Sequence, residues 1–199
     1  MAQSSAKQLK EVLKRVKAKR VGIESPNFLA RQGLTTHLER ELREGEYTVF
    51  FMQTSGDSPD NSGIIEIFAL KYIRGKVTEN FHRIVDPGMA IPDKYRNAFK
   101  KRGIPDSEFI PVGRVVQEFI EFVGNDVLIS HNVIRDVKFL RDAYKKAKDS
   151  EIENYFISTR VLAKKLIDDV ENFSLVGLAE YYFIPIEKGI PRAESLTKL

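Results

Sequence analysis

The sequence predicts an α/β fold: a mixed sheet of three antiparallel strands plus parallel strands, flanked by helices. Two observations lead to this prediction. Three strand-like segments between residues 48 and 85 are joined by short turns, which indicates an antiparallel meander. Strand-like and helix-like segments then alternate along the rest of the chain. With 199 residues and 42% hydrophobic content, the chain can bury one substantial core, and we expect one domain with an appendage.

The strands of the meander are predicted from apolar runs and from the polar turns between them. Residues 57–63 (DSPDNSG) form a turn-prone loop, and Arg74-Gly75-Lys76 is typical of a hairpin turn. The strands predicted around these two turns cover residues 48–54, 64–72 and 77–85.

Helices are predicted from apolar residues at helical spacing. The clearest apolar face consists of Val115, Val116, Phe119, Ile120 and Val123. A short buried strand is predicted at residues 126–130. The other predicted helices cover residues 93–101, 134–147, 157–166 and 174–183.

The positive charge of the chain is concentrated at its N-terminus. Residues 1–20 carry seven basic groups against one acidic group, whereas the other 179 residues carry 25 basic and 27 acidic groups. The body is therefore not a basic clamp for nucleic acid, and we expect phosphate contacts from the N-terminal segment. Its basic residues are Lys7, Lys10, Lys14, Arg15, Lys17, Lys19 and Arg20.

An N-terminal helix is predicted because Leu9, Val12, Leu13 and Val16 recur at helical spacing. Three interpretations stay open: a surface helix docked on the body, an arm that binds phosphate or a protein partner, and a membrane-surface helix. The predicted domain organisation is a basic helical extension over residues 1–45 and a domain over residues 46–199.

Composition excludes several classes of protein. The chain has no cysteine, which excludes disulfide frameworks and thiolate metal sites. No apolar run approaches the ~20 residues that span a bilayer. The basic N-terminus lacks the apolar core of a signal peptide. We therefore expect a cytoplasmic, soluble protein with no membrane partner.

Two segments carry the chemistry of interest. Residues 47–56 (YTVFFMQTSG) predict a buried strand that runs into a tight turn, and residues 130–136 (SHNVIRD) lead into a helix. Four shorter matches support them: IIEI at 64–67, VDPG at 85–88, GI at 103–104 and SLVGLA at 174–179. In this order and spacing, residues 46–199 resemble the DEDD (DEDDh-type) family of 3′–5′ exonucleases, which contains the proofreading epsilon subunit of bacterial DNA polymerase III.

The resemblance implies a ribonuclease H-like fold and hydrolysis of phosphodiester bonds by two divalent ions, Mg²⁺ or Mn²⁺. Such ions need several carboxylates to neutralise their charge. The family supplies an Asp and a Glu two residues apart on one strand, so that both lie on the same face. A third carboxylate follows the His-Asn pair, and a fourth follows a general-base His.

Most of these positions are substituted here. Phe51 stands where the family has the first Asp, Gln53 stands where it has Glu, and Asp136 matches the third carboxylate. The resemblance places Pro191 at the general base and Leu196 at the fourth carboxylate. Because one of the four family carboxylates remains, we predict a degenerate site with no cofactor, and at most one weakly held ion at Asp136.

Other acidic residues would have to restore the site if the chain were an active nuclease that uses Mg²⁺ or Mn²⁺. Asp57 and Asp60 follow the first strand, Glu66 lies on the second, and Glu194 lies near the Leu196 position. Two or three such replacements would be needed at once, and the sequence leaves this open.

The remaining candidates have both a binding and a structural interpretation. Thr54 and Ser55 belong to the turn that in the family lies near the substrate's 3′ end, while turn geometry alone also explains them. His131 and Asn132 either contact nucleic acid or hydrogen-bond the turn that starts the next helix. Asp136 is either a single-ion ligand or an acid that stabilises the helix N-terminus.

Three functions follow for this sequence. The first is a nucleic-acid-binding or protein-interaction module in DNA replication or repair that has lost nuclease activity. The second is an active 3′–5′ exonuclease similar to the polymerase III epsilon subunit, with relocated metal ligands. The third is a structural subunit with no affinity for nucleic acid, docked on a partner protein through the N-terminal helix. The sequence does not distinguish DNA from RNA as the ligand.

Overall fold

The structure is a computed structural model that describes residues 45–184. Its strands are β1 (Glu46–Thr54), β2 (Ile64–Ile73), β3 (Lys76–Asp86), β4 (Phe109–Pro111), β5 (Val127–Ser130) and β6 (Phe156–Ser158). Its helices are α1 (Asp93–Lys101), α2 (Val112–Val123), α3 (Val133–Lys148), α4 (Thr159–Leu166) and α5 (Leu175–Tyr181), with a 3₁₀ turn at Asp106–Glu108. Residues 1–44 of the predicted N-terminal extension, with its predicted helix, lie outside the described residues.

These strands form one sheet in the order β4-β3-β2-β1-β5-β6. β1, β2 and β3 pair antiparallel, while β5 pairs parallel to β1, β6 to β5, and β4 to β3. The predicted mixed sheet, with an antiparallel meander and further parallel strands, is confirmed.

Helices α2 and α3 cover one face of the sheet and enclose the main core. Phe50 and Met52 of β1 are each 1% exposed and pack there with Phe119 of α2. Because side chains alternate along a strand, Phe51 and Gln53 point to the opposite face. Both are partly exposed. These two positions, where the family has carboxylates, therefore lie on the face of β1 that points away from this core.

The sequence does not predict β4 and β6. Each has three residues, too few for an alternating pattern to be recognised. Residues 157–166, predicted as one helix, divide into the end of β6 and α4. Ser158 ends the strand, and its Oγ accepts a hydrogen bond from the Val161 backbone N–H, which caps the helix.

Among the described helices, none combines the length and apolar character needed to cross a bilayer. The longest of them, α3, has 16 residues and ends in a basic turn that contains Lys145, Lys146 and Lys148.

Candidate active site

The sheet topology brings the end of β1 next to the start of α3. β5 lies beside β1 in parallel register, with Val49 opposite Ile129. The chain leaves β5 at Ser130 and enters α3 at Val133. The first turn of α3 therefore lies beside the carboxyl end of β1, and the two segments that resemble the exonuclease motifs meet there.

The two β1 positions that the family fills with carboxylates carry neutral side chains. Phe51 lies opposite Phe68 of β2, and Gln53 lies opposite Glu66. The Gln53 side-chain amide donates a hydrogen bond to the Thr54 carbonyl at 3.1 Å, which turns it back onto its own strand. These two positions supply no anionic oxygen.

Asp136 is the family carboxylate that remains, and it is 3% exposed. Its Oδ2 accepts a hydrogen bond from Ser130 Oγ. Its Oδ1 accepts hydrogen bonds from Arg135 Nη2 at 3.1 Å and Nε at 3.3 Å. Burial raises the pKa of Asp136, and the Ser130 hydrogen bond and the Arg135 charge offset that effect only in part. Both carboxylate oxygens are thus engaged with protein groups.

Arg135 is the residue of this site that sequence reasoning misses. Besides its bonds to Asp136, its Nη2 donates a hydrogen bond at 3.4 Å to the carbonyl of Met52, between Phe51 and Gln53. A guanidinium therefore bridges α3 and β1 where the resemblance implies metal ions. The sequence does carry a signal, because a charged residue, Arg135, directly precedes Asp136, the position that matches the third family carboxylate.

Glu66, an acidic residue considered as a replacement ligand, is engaged elsewhere. It is 5% exposed and accepts hydrogen bonds from His82 Nε2 at 2.8 Å and from Arg102 Nη2 and Nη1 at 2.6 and 3.0 Å. Burial alone raises its pKa, but the hydrogen bonds from His82 and Arg102 outweigh burial and hold the pKa below its usual value. The ionised carboxylate joins β2, β3 and the end of α1.

The other acidic candidates do not complete a metal site in the described part of the chain. Asp57 and Asp60 are exposed in the loop after β1, where Ser58 Oγ donates a hydrogen bond to Asp60 at 2.8 Å. Between residues 45 and 184, no three His, Cys, Asp or Glu side chains gather closely enough to hold one ion. Divalent ions of two-metal hydrolysis need several anionic oxygens, so this donor set does not fit them.

Several predicted site residues fall outside the described range. They are Pro191, Glu194 and Leu196 at the C-terminal side, and Lys14, Arg15, Lys17, Lys19 and Arg20 at the N-terminal side.

The turn after β1 is closed by its own hydroxyl groups. Thr54 Oγ1 donates a hydrogen bond to the Gly56 carbonyl at 2.6 Å. Ser55 Oγ accepts one from the Gly63 N–H at 2.9 Å, and the Ser55 N–H donates one to the Gly63 carbonyl at 2.9 Å. These bonds support the interpretation that Thr54 and Ser55 stabilise the turn.

His131 connects the end of β5 to two later segments. Its Nε2 donates a hydrogen bond to the Phe173 carbonyl at 3.1 Å, which leaves Nδ1 to accept one from Thr159 Oγ1 at 3.0 Å. Burial lowers the pKa of the His131 ring, which favours its neutral form. Asn132 makes no side-chain capping bond, but its carbonyl accepts the Asp136 backbone N–H. His131 thus links distant segments rather than the local turn.

Two relatives of this chain are DNA polymerase III proteins. The family model described as Exonuclease (RNase_T) matches residues 54–188. The DNA polymerase III subunit epsilon of Aquifex aeolicus (strain VF5) is 28% identical over 144 residues, which are 71% of this chain and 70% of that protein. A DNA polymerase III PolC-type protein of Caldanaerobacter subterraneus subsp. tengcongensis is 33% identical over 146 residues, which are 72% of this chain and 10% of that protein.

Two solved structures that share this fold are exonucleases. Exonuclease X in complex with 5′ overhanging duplex DNA matches with a TM-score of 0.55 and 17% identity, over 76% of this chain and 87% of that chain. E. coli Exonuclease I in complex with a dT13 oligonucleotide matches with a TM-score of 0.58 and 13% identity, over 77% of this chain and 39% of that chain. These likenesses show a shared ribonuclease H-like fold. Because the family model matches residues 54–188, which is more than half of this chain, the chain belongs to the exonuclease (RNase_T) family.

Proposed function

We propose that this chain is a degenerate member of the exonuclease family that lacks strong metal-dependent nuclease activity and serves as a nucleic-acid-binding or protein-interaction module. One observation carries this proposal: Phe51 and Gln53 replace two carboxylates, while Asp136 is held by Ser130 and Arg135. Metal-assisted hydrolysis depends on ions held by anionic oxygens. The described residues at the end of β1 and the start of α3 offer none that is free.

The binding role is supported by the proteins that share this fold. Exonuclease X and Exonuclease I are each seen with DNA, and another structure is an ExoI/SSB-Ct complex. We extend the same classes of partner, nucleic acid and protein, to this chain, in DNA replication or repair, because DNA polymerase III proteins are among its relatives. The basic residues of the N-terminal segment add a salt-dependent contribution. A cytoplasmic location stays a prediction.

An exonuclease assay on 5′-labelled single-stranded DNA and RNA tests the loss of activity. The full chain is incubated with Mg²⁺, with Mn²⁺ and with EDTA, beside an Asp136→Ala variant. We expect neither protein to shorten either substrate. Cleavage that needs metal and disappears in Asp136→Ala would overturn the proposal and establish an active exonuclease with relocated ligands.

A gel shift with the same oligonucleotides tests the binding role. Retarded complexes without cleavage support a nucleic-acid-binding module, and their loss on deletion of residues 1–20 assigns the affinity to the N-terminal segment. If the full chain retards neither DNA nor RNA, nucleic-acid binding is wrong and the structural-subunit alternative replaces it.

A further inference from the structure

The Arg135–Asp136 pair places a fixed cation at the degenerate site. We propose that Arg135 takes the electrostatic place of a divalent ion and binds a phosphate group of a single-stranded nucleic acid without any metal. This inference rests on the proposed function, because it assumes that the site binds nucleic acid and does not hold catalytic ions.

The position of the guanidinium is set by two separate elements. Nε and Nη2 bind the carboxylate of Asp136 on α3, and Nη2 also binds the Met52 carbonyl on β1. A guanidinium held in this way has lost its rotational freedom before any ligand arrives, so less entropy is lost when a ligand binds. The site therefore provides a preorganised cation.

Within the part of the chain that the structure describes, one edge of the guanidinium remains available. The Arg135 side chain is 31% exposed, whereas the Asp136 side chain beneath it is 5% exposed. No described residue accepts a hydrogen bond from Nη1. Nη1 carries two N–H donors, and a phosphate offers oxygens that match them. Phosphate is therefore the ligand class that this edge fits.

The electrostatics of the neighbourhood suit an anion better than a metal ion. Phe51 and Gln53, on either side of Met52, are both neutral. The charge of Asp136 is already balanced by Arg135, so an approaching phosphate meets no uncompensated carboxylate at these positions. A divalent ion, by contrast, would have to bind close to the Arg135 guanidinium. Like charges repel in a partly buried site, so the guanidinium disfavours such an ion.

The surroundings also suit a nucleic acid strand. Phe51 and its cross-strand neighbour Phe68 are both partly exposed on the same face of the sheet. Aromatic side chains of this kind stack on nucleobases whatever the base sequence. Because Phe51 directly precedes Met52, whose carbonyl binds Arg135, we expect this aromatic surface to be within reach of a base whose phosphate lies at Arg135.

Fluorescence anisotropy with a labelled dT oligonucleotide in EDTA tests the inference. The full chain is compared with Arg135→Gln and with the double variant Arg135→Gln/Asp136→Asn, which removes both charges and leaves no buried carboxylate unpaired. We expect equal affinity of the unmodified chain in EDTA and in Mg²⁺. We expect the double variant to bind about tenfold more weakly, the effect of losing one charged hydrogen-bond partner.

Arg114→Gln is the matched control. Arg114 of α2 also pairs with a carboxylate, donating from Nε to Glu118 at 2.8 Å. Glu118 in turn accepts a hydrogen bond from Arg83 of β3, so this pair lies beside β3 and not at the end of β1. Its substitution should leave the affinity within twofold. Salt titration adds a second readout, since the loss of one phosphate contact makes the negative slope of log K against log salt concentration shallower by about 0.7.

Three outcomes would overturn the inference. One is a folded double variant that binds as tightly as the unmodified chain, with the same salt slope. Another is binding of the unmodified chain that disappears in EDTA. The third is Arg135-dependent binding of inorganic phosphate or dTMP without binding of the oligonucleotide. In that case the ligand of the site is a small anion and not a nucleic acid strand. Metal-dependent cleavage in the exonuclease assay would contradict the proposed function, and that assay is independent of these binding measurements.

Discussion

Arg102 and Glu66, 36 residues apart, form a two-pronged ion pair in which both terminal nitrogens of the guanidinium bind one carboxylate, at 2.6 and 3.0 Å. This pair fixes the end of α1 on the sheet. It also withdraws from the site the acidic residue that faces Gln53 across β1 and β2. The contact that joins α1 to the sheet therefore also engages a carboxylate that could otherwise have served as a replacement metal ligand.

Arg102→Met should destabilise the fold by about 2 kcal/mol. Removing one partner of a fully buried pair costs ~3–5 kcal/mol, and the cost is smaller here because His82 still donates to Glu66. Urea unfolding measures the effect. Arg114→Met is the control, since its pair with Glu118 is exposed on the arginine side, and we expect a cost below ~1 kcal/mol. Equal costs for the two variants would show that the Glu66 pair contributes no more than a surface pair.

Asp136→Asn should make the fold more stable at pH 7. Because burial raises the pKa of Asp136, the native state binds this proton more tightly than the unfolded state does. Protonation of Asp136 therefore contributes fully to the free energy of unfolding below the pKa of the unfolded state, ~3.9. This contribution is lost as the pH rises through the pKa of the folded state. At neutral pH the ionised carboxylate is a cost, and Asn removes it while it can still bond to Ser130 and Arg135.

Urea unfolding of the unmodified chain and of Asp136→Asn between pH 4 and pH 8 measures this difference. The advantage of the variant should shrink as the pH falls. Asp142→Asn is the control, because that carboxylate forms an exposed pair with Lys146 and its loss should have little effect. A variant that is less stable than the unmodified chain at pH 7 would mean that the Arg135 pair outweighs the burial of Asp136.

Gly177→Ala should destabilise the fold by about 1–3 kcal/mol, the usual cost of overpacking. A Cβ on Gly177 of α5 would lie 2.3 Å from the Asn172 carbonyl oxygen and 2.7 Å from its Cγ. Gly113→Ala on α2 is the matched control, since its Cβ would meet Ala147 at an ordinary 3.6 Å. There the better helix propensity of Ala should stabilise the fold by about 0.5 kcal/mol. Thermal unfolding measures whether each substitution lowers or raises the stability. If Gly177→Ala leaves the stability unchanged, a Cβ at this position is not crowded by Asn172.

The sheet could be predicted because its long strands carry their own signals. Ile64–Ile73 is an apolar run bounded by a polar loop and a glycine turn, so local sequence suffices. Phe156–Ser158 could not be predicted in this way, because three residues become a strand only through pairing with β5. The long strands follow from local pattern, whereas the short ones depend on the completed sheet.

The interactions of the candidate site were less predictable than its position. The motifs place Asp136 beside β1, but neighbouring residues on a helix do not normally face each other, so nothing in the sequence indicates that Arg135 folds back onto Asp136. The partners of Glu66 come from 16 and 36 residues away. Contacts of this kind depend on rotamers and on tertiary packing, which residue spacing does not specify.

Restoring the two β1 carboxylates, as Phe51→Asp with Gln53→Glu, should create a metal site together with Asp136. Three carboxylates would then surround the end of β1, which is the kind of oxygen donor set that divalent ions require. We expect Mn²⁺ to raise the unfolding temperature of this variant and not that of the unmodified chain. At a Mn²⁺ concentration of 100 times Kd, the stabilisation should be about 2.7 kcal/mol.

Phe51→Asn is the control for this experiment, because it is polar and neutral at the same position. If Mn²⁺ stabilises Phe51→Asn or the unmodified chain as much as it stabilises the restored variant, the ion binds elsewhere and the assignment of the site is wrong.

Adding Arg135→Phe to the restored variant then tests the role of the guanidinium. If Arg135 stands in place of an ion, its removal should increase Mn²⁺ affinity, because the incoming charge no longer meets a fixed cation. Unchanged affinity would mean that the guanidinium does not compete with the ion.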